Sequence, residues 1–95
     1  MRGLEGKSAV VTGGSRGIGK ATVARLLEEG VSVLFCGRNE QVGLATLAEF
    51  RENYGEKVHF VACDMEAPET PKILVKKARD LFGKLDFLVN NAFPF

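Results

Sequence analysis

Apolar residues occur along the chain in short runs that are separated by longer amphipathic stretches. Four runs are apolar enough to be buried strands, at about residues 8–12, 31–36, 58–62 and 85–89. The stretches between them, at about 17–29, 41–53 and 71–82, have the composition and apolar spacing of helices. Gly30, Gly55 and Gly83 follow these stretches, where glycine commonly ends a helix.

The resulting order β-α-β-α-β-α-β predicts the fold class. Nearly continuous apolar strands that are joined through helices are typical of a parallel sheet covered on both faces. Short, right-handed crossovers then predict an α/β, Rossmann-like, doubly wound sheet of about four strands in the order 3-2-1-4. No linker or repeat divides the chain, so we expect residues 1–95 to form one domain.

The apolar spacing also predicts which side of each helix faces the sheet. The candidates are Ile18, Ala21, Leu26 and Leu27 in the first helix, Leu44, Leu47 and Ala48 in the second, and Leu74, Ala78, Leu81 and Phe82 in the third.

The composition is that of an ordinary globular domain. The 95 residues are 45% hydrophobic and 26% charged, and the net charge of +1 gives no strong field for nucleic acid or a membrane surface. No apolar run approaches the ~20 residues of a membrane span, and no secretory signal opens the chain, so we expect a cytoplasmic protein. Cys36 and Cys63 lie outside any Cys-x-x-Cys pattern and are predicted to be reduced thiols without a metal. His59 has no partner cluster and is predicted to be structural.

A glycine-rich stretch, Thr-Gly-Gly-Ser-Arg-Gly-Ile-Gly at 12–19, lies between the first strand and the first helix. Glycine permits positive φ and lets a ligand approach bare main chain. The first turn of a helix carries unpaired N–H groups and the positive end of the helix dipole, which favour a phosphate. The stretch is therefore a candidate phosphate-binding turn.

Three phosphate-binding patterns compete for this turn. The dinucleotide fingerprint G-x-G-x-x-G fails because Thr22 occupies its last place. The nucleotide-hydrolase pattern G-x-x-x-x-G-K-[ST] fails at Ala21, where a hydroxyl should hold Mg²⁺. The pattern T-G-x-x-x-G-x-G fits in full, with Thr12, Gly13, Gly17 and Gly19 in its fixed places.

This third pattern closely resembles the short-chain dehydrogenase/reductase family. Asn90, Asn91 and Ala92, after the fourth strand, resemble the family's Asn-Asn-Ala-Gly motif, although Phe93 stands where the family has glycine. The resemblance covers residues 7–92. It implies the cofactor-binding N-terminal part of a Rossmann-fold oxidoreductase, in which hydride passes between a nicotinamide and a carbonyl or alcohol.

The resemblance also implies the cofactor-binding residues. Gly13, Gly17 and Gly19 would shape the turn, and Ser15, Arg16 and Ile18 would line the phosphates. Asp64 and the backbone of Met65 would hold the adenine, although Asp64 could also simply begin a turn. Asn90, Asn91 and Ala92 would line the central path of the cofactor.

The end of the second strand bears on the choice of cofactor. A site that prefers NAD usually has an acid there, which binds the 2′-hydroxyl of the ribose. This chain has Gly37 followed by Arg38, and Arg16 supplies a second cation in the turn. Arginine can bind a 2′-phosphate through two hydrogen bonds, so the sequence favours NADP over NAD. The alternative, that both arginines are solvated surface charges, stays open.

The family's catalytic Ser and Tyr-x-x-x-Lys would lie beyond the Asn-Asn-Ala motif. The only tyrosine, Tyr54, has Lys57 three residues later and precedes the third strand, so we assign no catalytic residue. Alone the chain is expected to be inactive, and a small-molecule substrate is expected only for a full-length form. The other interpretation is a short, non-catalytic nucleotide-binding or protein-interaction module. Apolar residues of the fourth strand, at an open sheet edge, make a homo-oligomer through that edge one candidate assembly.

Overall fold

The computed structural model describes residues 2–15, 17–64 and 66–90. Their elements in chain order are β1 (Ser8–Thr12), α1 (Gly17–Glu28), β2 (Ser32–Gly37), α2 (Glu40–Tyr54), β3 (Val58–Ala62), α3 (Thr70–Phe82) and β4 (Phe87–Asn90), with short 3₁₀ turns at Arg2–Leu4 and Gly55–Lys57. The helix bounds match the sequence prediction within two residues. β4 begins two residues later than predicted.

The four strands form one parallel sheet in the order β3-β2-β1-β4, which confirms the predicted fold. The register places Thr12 of β1 beside Cys36 of β2 and Asn90 of β4. Gly37, the last residue of β2, lies beside Ala62 of β3. The carboxyl ends of all four strands therefore lie along one edge of the sheet, where ligands bind in doubly wound folds.

Both faces of the sheet are covered, which explains why the strands are apolar without alternation. In β1, Val11 belongs to the cluster on the face of α1 and α2, which also contains Phe35 and Phe50. Val10 belongs to the cluster on the opposite face, beneath α3. Burial of each such side chain stabilises the fold by about 1.5–3 kcal/mol. None of the helices in the described ranges is long and apolar enough to cross a membrane.

The predicted sheet-facing side of α1 is wrong at two positions. Ile18 is 79% exposed and Ala21 is also exposed, whereas Val23 and Leu27 are buried. The buried side of α1 is instead formed by Gly19, Val23 and Leu27, which follow one another at intervals of four residues. Ile18 instead projects beside the glycine-rich turn.

In α2 the fully buried residues are Gly43, Thr46 and Phe50, and of the predicted Leu44, Leu47 and Ala48 only the half-buried Leu47 packs against the core. Leu44 is 51% exposed and Ala48 is exposed. The reason is close packing, because a Cβ on Gly43 would lie 1.9 Å from Cζ of Phe60. Only a residue without a side chain lets the helix approach β3 so closely.

In α3 the prediction is largely right. Leu74 and Ala78 are buried, Phe82 is half-buried, and Leu81 is exposed. The helix ends at Gly83, whose N–H donates to the carbonyl of Arg79 at 2.8 Å.

The late start of β4 follows from how Ser8 holds the preceding loop. The backbone N–H of Ser8 donates to Oδ2 of Asp86 at 2.9 Å, and Ser8 Oγ donates to the carbonyl of Lys84 at 2.7 Å. The N–H of Asp86 in turn donates to the carbonyl of Ser8 at 3.0 Å. The hydrogen bond from the Ser8 backbone, together with the Lys84 ammonium, holds the pKa of Asp86 below its usual value of 3.8.

This lowered pKa makes the stability of the fold depend on pH. Because the folded state favours the ionised carboxylate, the stabilisation from Asp86 is complete above its usual pKa and is lost as the pH falls through the lower, folded pKa. We expect Asp86→Asn to reduce the loss of stability in urea unfolding between pH 6 and pH 2.5. The control is Asp80→Asn, because the Asp80 carboxylate pairs with Lys76 on the exposed surface of α3. An unchanged pH dependence in Asp86→Asn would contradict the assignment.

Candidate functional site

The glycine-rich turn folds back over the end of β2. The N–H groups of Gly13 and Gly14 both donate to the carbonyl of Cys36, at 2.9 and 3.2 Å. Gly13 has φ of +70° and Gly17, the first residue of α1, has φ of +61°, a conformation that favours glycine. The turn therefore takes the path that the sequence predicted, from β1 directly into the first turn of a helix.

Close packing keeps the turn against α1. A Cβ on Gly19 would lie 1.8 Å from the carbonyl oxygen of Gly13. This distance is far inside van der Waals contact, so no other residue fits without moving the backbone. The first turn of α1 and its N–H groups are thereby held beside the glycine-rich main chain, as an anion-binding site requires.

Ser15 is buried, and a side chain of α2 holds its backbone. Its carbonyl accepts a 2.9 Å hydrogen bond from Thr46 Oγ1 of α2, and Ser15 itself is only 9% exposed. Its own hydroxyl has no hydrogen-bond partner among the residues that the structure describes. The hydroxyl lies beside Gly37 at the end of β2. The turn therefore places an unsatisfied polar group next to the carboxyl end of β2.

Thr46 was not predicted to be part of the site. The helical spacing could have revealed Thr46. It lies three residues after Gly43 and four before Phe50, so this polar residue shares the buried side of α2 with them. Its contact with Ser15 spans 31 residues of sequence, so only the packing of α2 shows its partner.

The ends of β1 and β4 are joined by side chains. Thr12 Oγ1 lies 2.8 Å from Oδ1 of Asn90, to which it donates, and 3.4 Å from the carbonyl of Val89. Asn90 is thus at the carboxyl edge of the sheet, next to the start of the glycine-rich turn. The structure brings these two predicted motifs together.

Arg38 and Asp64 follow β2 and β3 at the same edge. Arg38 is exposed, and the next residue, Asn39, caps α2 by accepting a hydrogen bond from the N–H of Val42. The N–H of Cys63 donates to the carbonyl of Gly37 at 2.9 Å, which brings the loop containing Asp64 next to Gly37. Asp64 is also exposed and begins a turn, because its Oδ1 accepts from the N–H of Glu66 at 2.9 Å.

Four of the twelve predicted cofactor-binding residues lie outside the described residues: Arg16, Met65, Asn91 and Ala92. Phe93 lies outside them as well. The eight that are described all belong to the glycine-rich turn, the start of α1 or the carboxyl edge of the sheet.

Cys36 is buried and Cys63 is half-buried, and no disulfide joins them. Although they are 27 positions apart in sequence, Cys36 and Cys63 are neighbours in the fold. Burial, reinforced by the nearby Cys63 thiol, raises the pKa of Cys36 to about 12, so the Cys36 thiol stays protonated at neutral pH. The described ranges contain no group of three or more His, Cys, Asp or Glu that could hold a metal ion.

His59 has its ring nitrogens paired with neighbouring structural groups. Nδ1 lies 3.0 Å from Nη2 of Arg51, and Nε2 lies 3.0 Å from the carbonyl of Glu56. Its ring is also 5.8 Å from that of Phe82. These contacts tie α2 and α3 to β3, away from the glycine-rich turn.

The fold and the glycine-rich turn agree with the family comparison. The model of the short chain dehydrogenase family matches residues 7–93. This match covers most of the chain, and the chain therefore belongs to the short-chain dehydrogenase family, whose members include oxidoreductases.

Individual relatives support this membership. The chain is 42% identical over 89 residues to 3beta-hydroxysteroid dehydrogenase 2 of Eggerthella lenta, a match that covers 94% of this chain and 34% of the relative. It is 37% identical over 92 residues to L-rhamnose 1-dehydrogenase (NADP(+)) of Thermoplasma acidophilum, covering 97% of this chain and 36% of the relative. The chain thus spans about a third of the length of these curated relatives.

Solved structures give the same result. L-sorbose reductase of Gluconobacter frateurii, crystallised with NADPH and L-sorbose, matches with a TM-score of 0.86 and 36% identity. The match covers 95% of this chain and 34% of the reductase. The described sheet and helices therefore correspond to the fold of one part of that enzyme.

Proposed function

We propose that the chain forms the NADP(H)-binding part of an oxidoreductase that transfers hydride between a nicotinamide and a carbonyl or alcohol. The observation that carries this proposal is the end of β2. Gly37 stands where an NAD-selective site would have an acid, and the next residue, Arg38, is an exposed cation. A carboxylate there would repel a 2′-phosphate, whereas a guanidinium attracts it through charge-assisted hydrogen bonds. Arg38 lies at the edge where the glycine-rich turn would hold the diphosphate.

The described residues fit such a cofactor. Gly13, Gly17 and Gly19 leave the main chain bare at the helix N-terminus, which favours the diphosphate. The unsatisfied hydroxyl of Ser15 offers a hydrogen bond to a ligand, and the exposed side chain of Ile18 offers an apolar contact next to the turn.

The remaining predicted residues complete the proposed site. Asp64 and Met65 would hold the adenine, and Arg16 would be a second cation near the 2′-phosphate. Asn90, Asn91 and Ala92 would line the path towards the nicotinamide. When bound, the cofactor would supply or accept the hydride, and the described residues would bind and orient it.

Two relatives support the choice of NADP. The L-sorbose reductase structure contains NADPH, and the L-rhamnose dehydrogenase is named for NADP(+). Both are about three times as long as this chain. Transfer of hydride and the choice of a small-molecule substrate are therefore proposed for the whole protein, with the proton-transferring residues in its remaining part.

The test is a calorimetric titration of the chain with NADPH and with NADH, at matched ionic strength. We expect NADPH to bind at least about tenfold more tightly, because each charge-assisted hydrogen bond to the 2′-phosphate contributes about 1.5–3 kcal/mol. The preference should weaken as salt is added, since the exposed Arg38 is screened. Equal affinities would exclude a 2′-phosphate site at Arg38.

A second candidate function is a non-catalytic module that associates through β4. The observation that favours it is Leu88, which lies on this edge strand of the described sheet and is 55% exposed. An apolar, unpaired strand edge promotes pairing with another chain. Size-exclusion chromatography of the same sample would distinguish the two functions, because only the module predicts oligomers together with no affinity for either nucleotide.

A further inference from the structure

The hydroxyl of Thr46 donates out of its own helix to the glycine-rich turn. A threonine hydroxyl within a helix can donate to the carbonyl four residues earlier, as Thr22 of α1 does to Ile18 at 2.9 Å. Thr46 of α2 donates instead to the carbonyl of Ser15, also at 2.9 Å, and this bond is buried. Thr46 is only 3% exposed. Because a buried hydroxyl and a buried carbonyl both need a partner, this bond ties α2 to the turn.

The packing of α2 fixes where this hydroxyl lies. Three residues before Thr46, Gly43 faces the ring of Phe60, and a Cβ there would lie 1.9 Å from Cζ of that ring. Four residues after Thr46, the ring of Phe50 meets that of Phe35 in β2 edge to face, with the centroids 6.2 Å apart. The residues on either side of Thr46 along the buried face therefore both pack against the sheet, and Thr46 lies on a segment with little freedom to shift.

The start of the turn is bonded to β2 through two donors and to α2 through an acceptor. The N–H groups of Gly13 and Gly14 donate to the carbonyl of Cys36 in β2. The oxygen of the Ser15 carbonyl, the negative end of its peptide dipole, is bonded in the interior by Thr46. Without that hydroxyl the oxygen would lose its buried donor and would gain by turning towards water. A carbonyl oxygen that faced the carboxyl edge would repel an anion there.

We propose that Thr46 is a positioning residue for nucleotide binding, because it holds the Ser15 carbonyl away from the phosphates that the glycine-rich turn would bind. This inference rests on the proposed function. Thr46 is buried, so it acts through the backbone of Ser15 and does not touch the nucleotide. With this carbonyl oxygen bonded to α2, the N–H groups at the start of α1 meet the anion without a competing negative charge.

The first experiment is a calorimetric titration of Thr46→Val and Thr46→Ser with NADPH and with NADH. Valine has nearly the shape of threonine but no hydroxyl, so it removes the bond and keeps the core filled. We expect both affinities to fall about tenfold in Thr46→Val, since the two cofactors share the diphosphate and a buried carbonyl loses its donor. Serine keeps the hydroxyl, and Thr46→Ser should bind within about threefold of the wild type. Thr46→Ala, measured alongside, should show the same loss and replaces valine if that variant does not fold.

The matched control is Ser8→Ala, which removes another buried hydroxyl that donates to a carbonyl distant in sequence. Ser8 is 1% exposed, and its Oγ donates to the carbonyl of Lys84 at 2.7 Å. Ser8 is the first residue of β1, so this bond lies at the opposite edge of the sheet from the glycine-rich turn. We expect Ser8→Ala to lower the folding equilibrium constant in urea unfolding by a factor comparable to that of Thr46→Val, but to leave both nucleotide affinities unchanged.

The second experiment needs no nucleotide and follows amide hydrogen exchange in the glycine-rich turn by NMR. In Thr46→Val the amides of Gly13 and Gly14 should exchange about tenfold faster relative to the amides of β2, because the turn opens locally once the Ser15 carbonyl is released. In Ser8→Ala the same two amides should keep their wild-type ratio to the amides of β2. The ratio separates local opening of the turn from unfolding of the whole chain.

Unchanged nucleotide affinity or unchanged exchange in Thr46→Val would overturn the inference. So would an equal loss of affinity in Thr46→Ser, since the hydroxyl would then not be responsible, or in Ser8→Ala, since the loss would then reflect general stability. A wild-type chain that binds neither nucleotide would overturn the proposed function and the positioning role with it. In that case, faster exchange of Gly13 and Gly14 in Thr46→Val would still show that the bond holds the turn, so the two failures can be told apart.

Discussion

Replacing Gly19 with alanine is expected to abolish nucleotide binding and to destabilise the fold by about 2–3 kcal/mol. The new Cβ would lie 1.8 Å from the carbonyl oxygen of Gly13. That oxygen belongs to the backbone, and the N–H of the same residue donates to Cys36 at 2.9 Å, so it cannot move without opening the turn. The roughly 1 kcal/mol by which alanine favours a helix over glycine offsets only part of this cost.

Urea unfolding and a nucleotide titration of Gly19→Ala measure the two effects separately. Gly3→Ala serves as the comparison, because its added Cβ meets no neighbour. A Gly19→Ala chain with wild-type stability and NADPH affinity would show that the turn and α1 are not packed as closely as the structure has them.

The second large effect is expected from Arg38→Asp, which should reverse the preference for NADPH. The substitution removes a cation and places a carboxylate next to the proposed 2′-phosphate position, while a 2′-hydroxyl can still donate to it. We expect NADPH affinity to fall about 10–100-fold, since a lost charge-assisted hydrogen bond and like-charge repulsion both contribute. NADH affinity should be unchanged or slightly improved.

The exposure of Arg38 makes this a clean experiment, because the stability of the fold should change little. Arg79→Asp, at another exposed arginine on α3, controls for the change in net charge. It should leave the ratio of NADPH to NADH affinity as in the wild type. If Arg38→Asp also leaves this ratio unchanged, Arg38 has no role in selecting the cofactor.

The same experiments examine different parts of one site. In the proposed site, Gly19 lies at the diphosphate end of the turn, whereas Arg38 would bind the 2′ end of the ribose. Loss of NADPH binding in Gly19→Ala with retained NADH binding would therefore be inconsistent with the proposed arrangement, because the diphosphate is common to both cofactors. A loss confined to NADPH in Arg38→Asp is the complementary result.

The amino-acid sequence by itself determined the class of fold and the edge of the sheet at which the predicted motifs meet. Strands such as 8–12 are apolar without alternation, and only a sheet covered on both faces buries both of their sides. Glycines at the ends of the helical stretches marked the helix bounds, and the order of elements determined the 3-2-1-4 sheet. Since parallel strands all end at one edge, the glycine-rich turn, Gly37 and Asn90 had to lie close together.

Tertiary structure decided which side of each helix is buried and which atoms meet within the site. The apolar spacing placed Leu44 of α2 towards the sheet, but the close approach of α2 to Phe60 requires Gly43 there instead. Hydrophobic periodicity records only which residues favour burial, and it contains no information about the distances between elements. The hydrogen bond from Thr46 Oγ1 to the carbonyl of Ser15 joins residues that are 31 positions apart. Such contacts follow from how closely the elements pack, which only the folded chain defines.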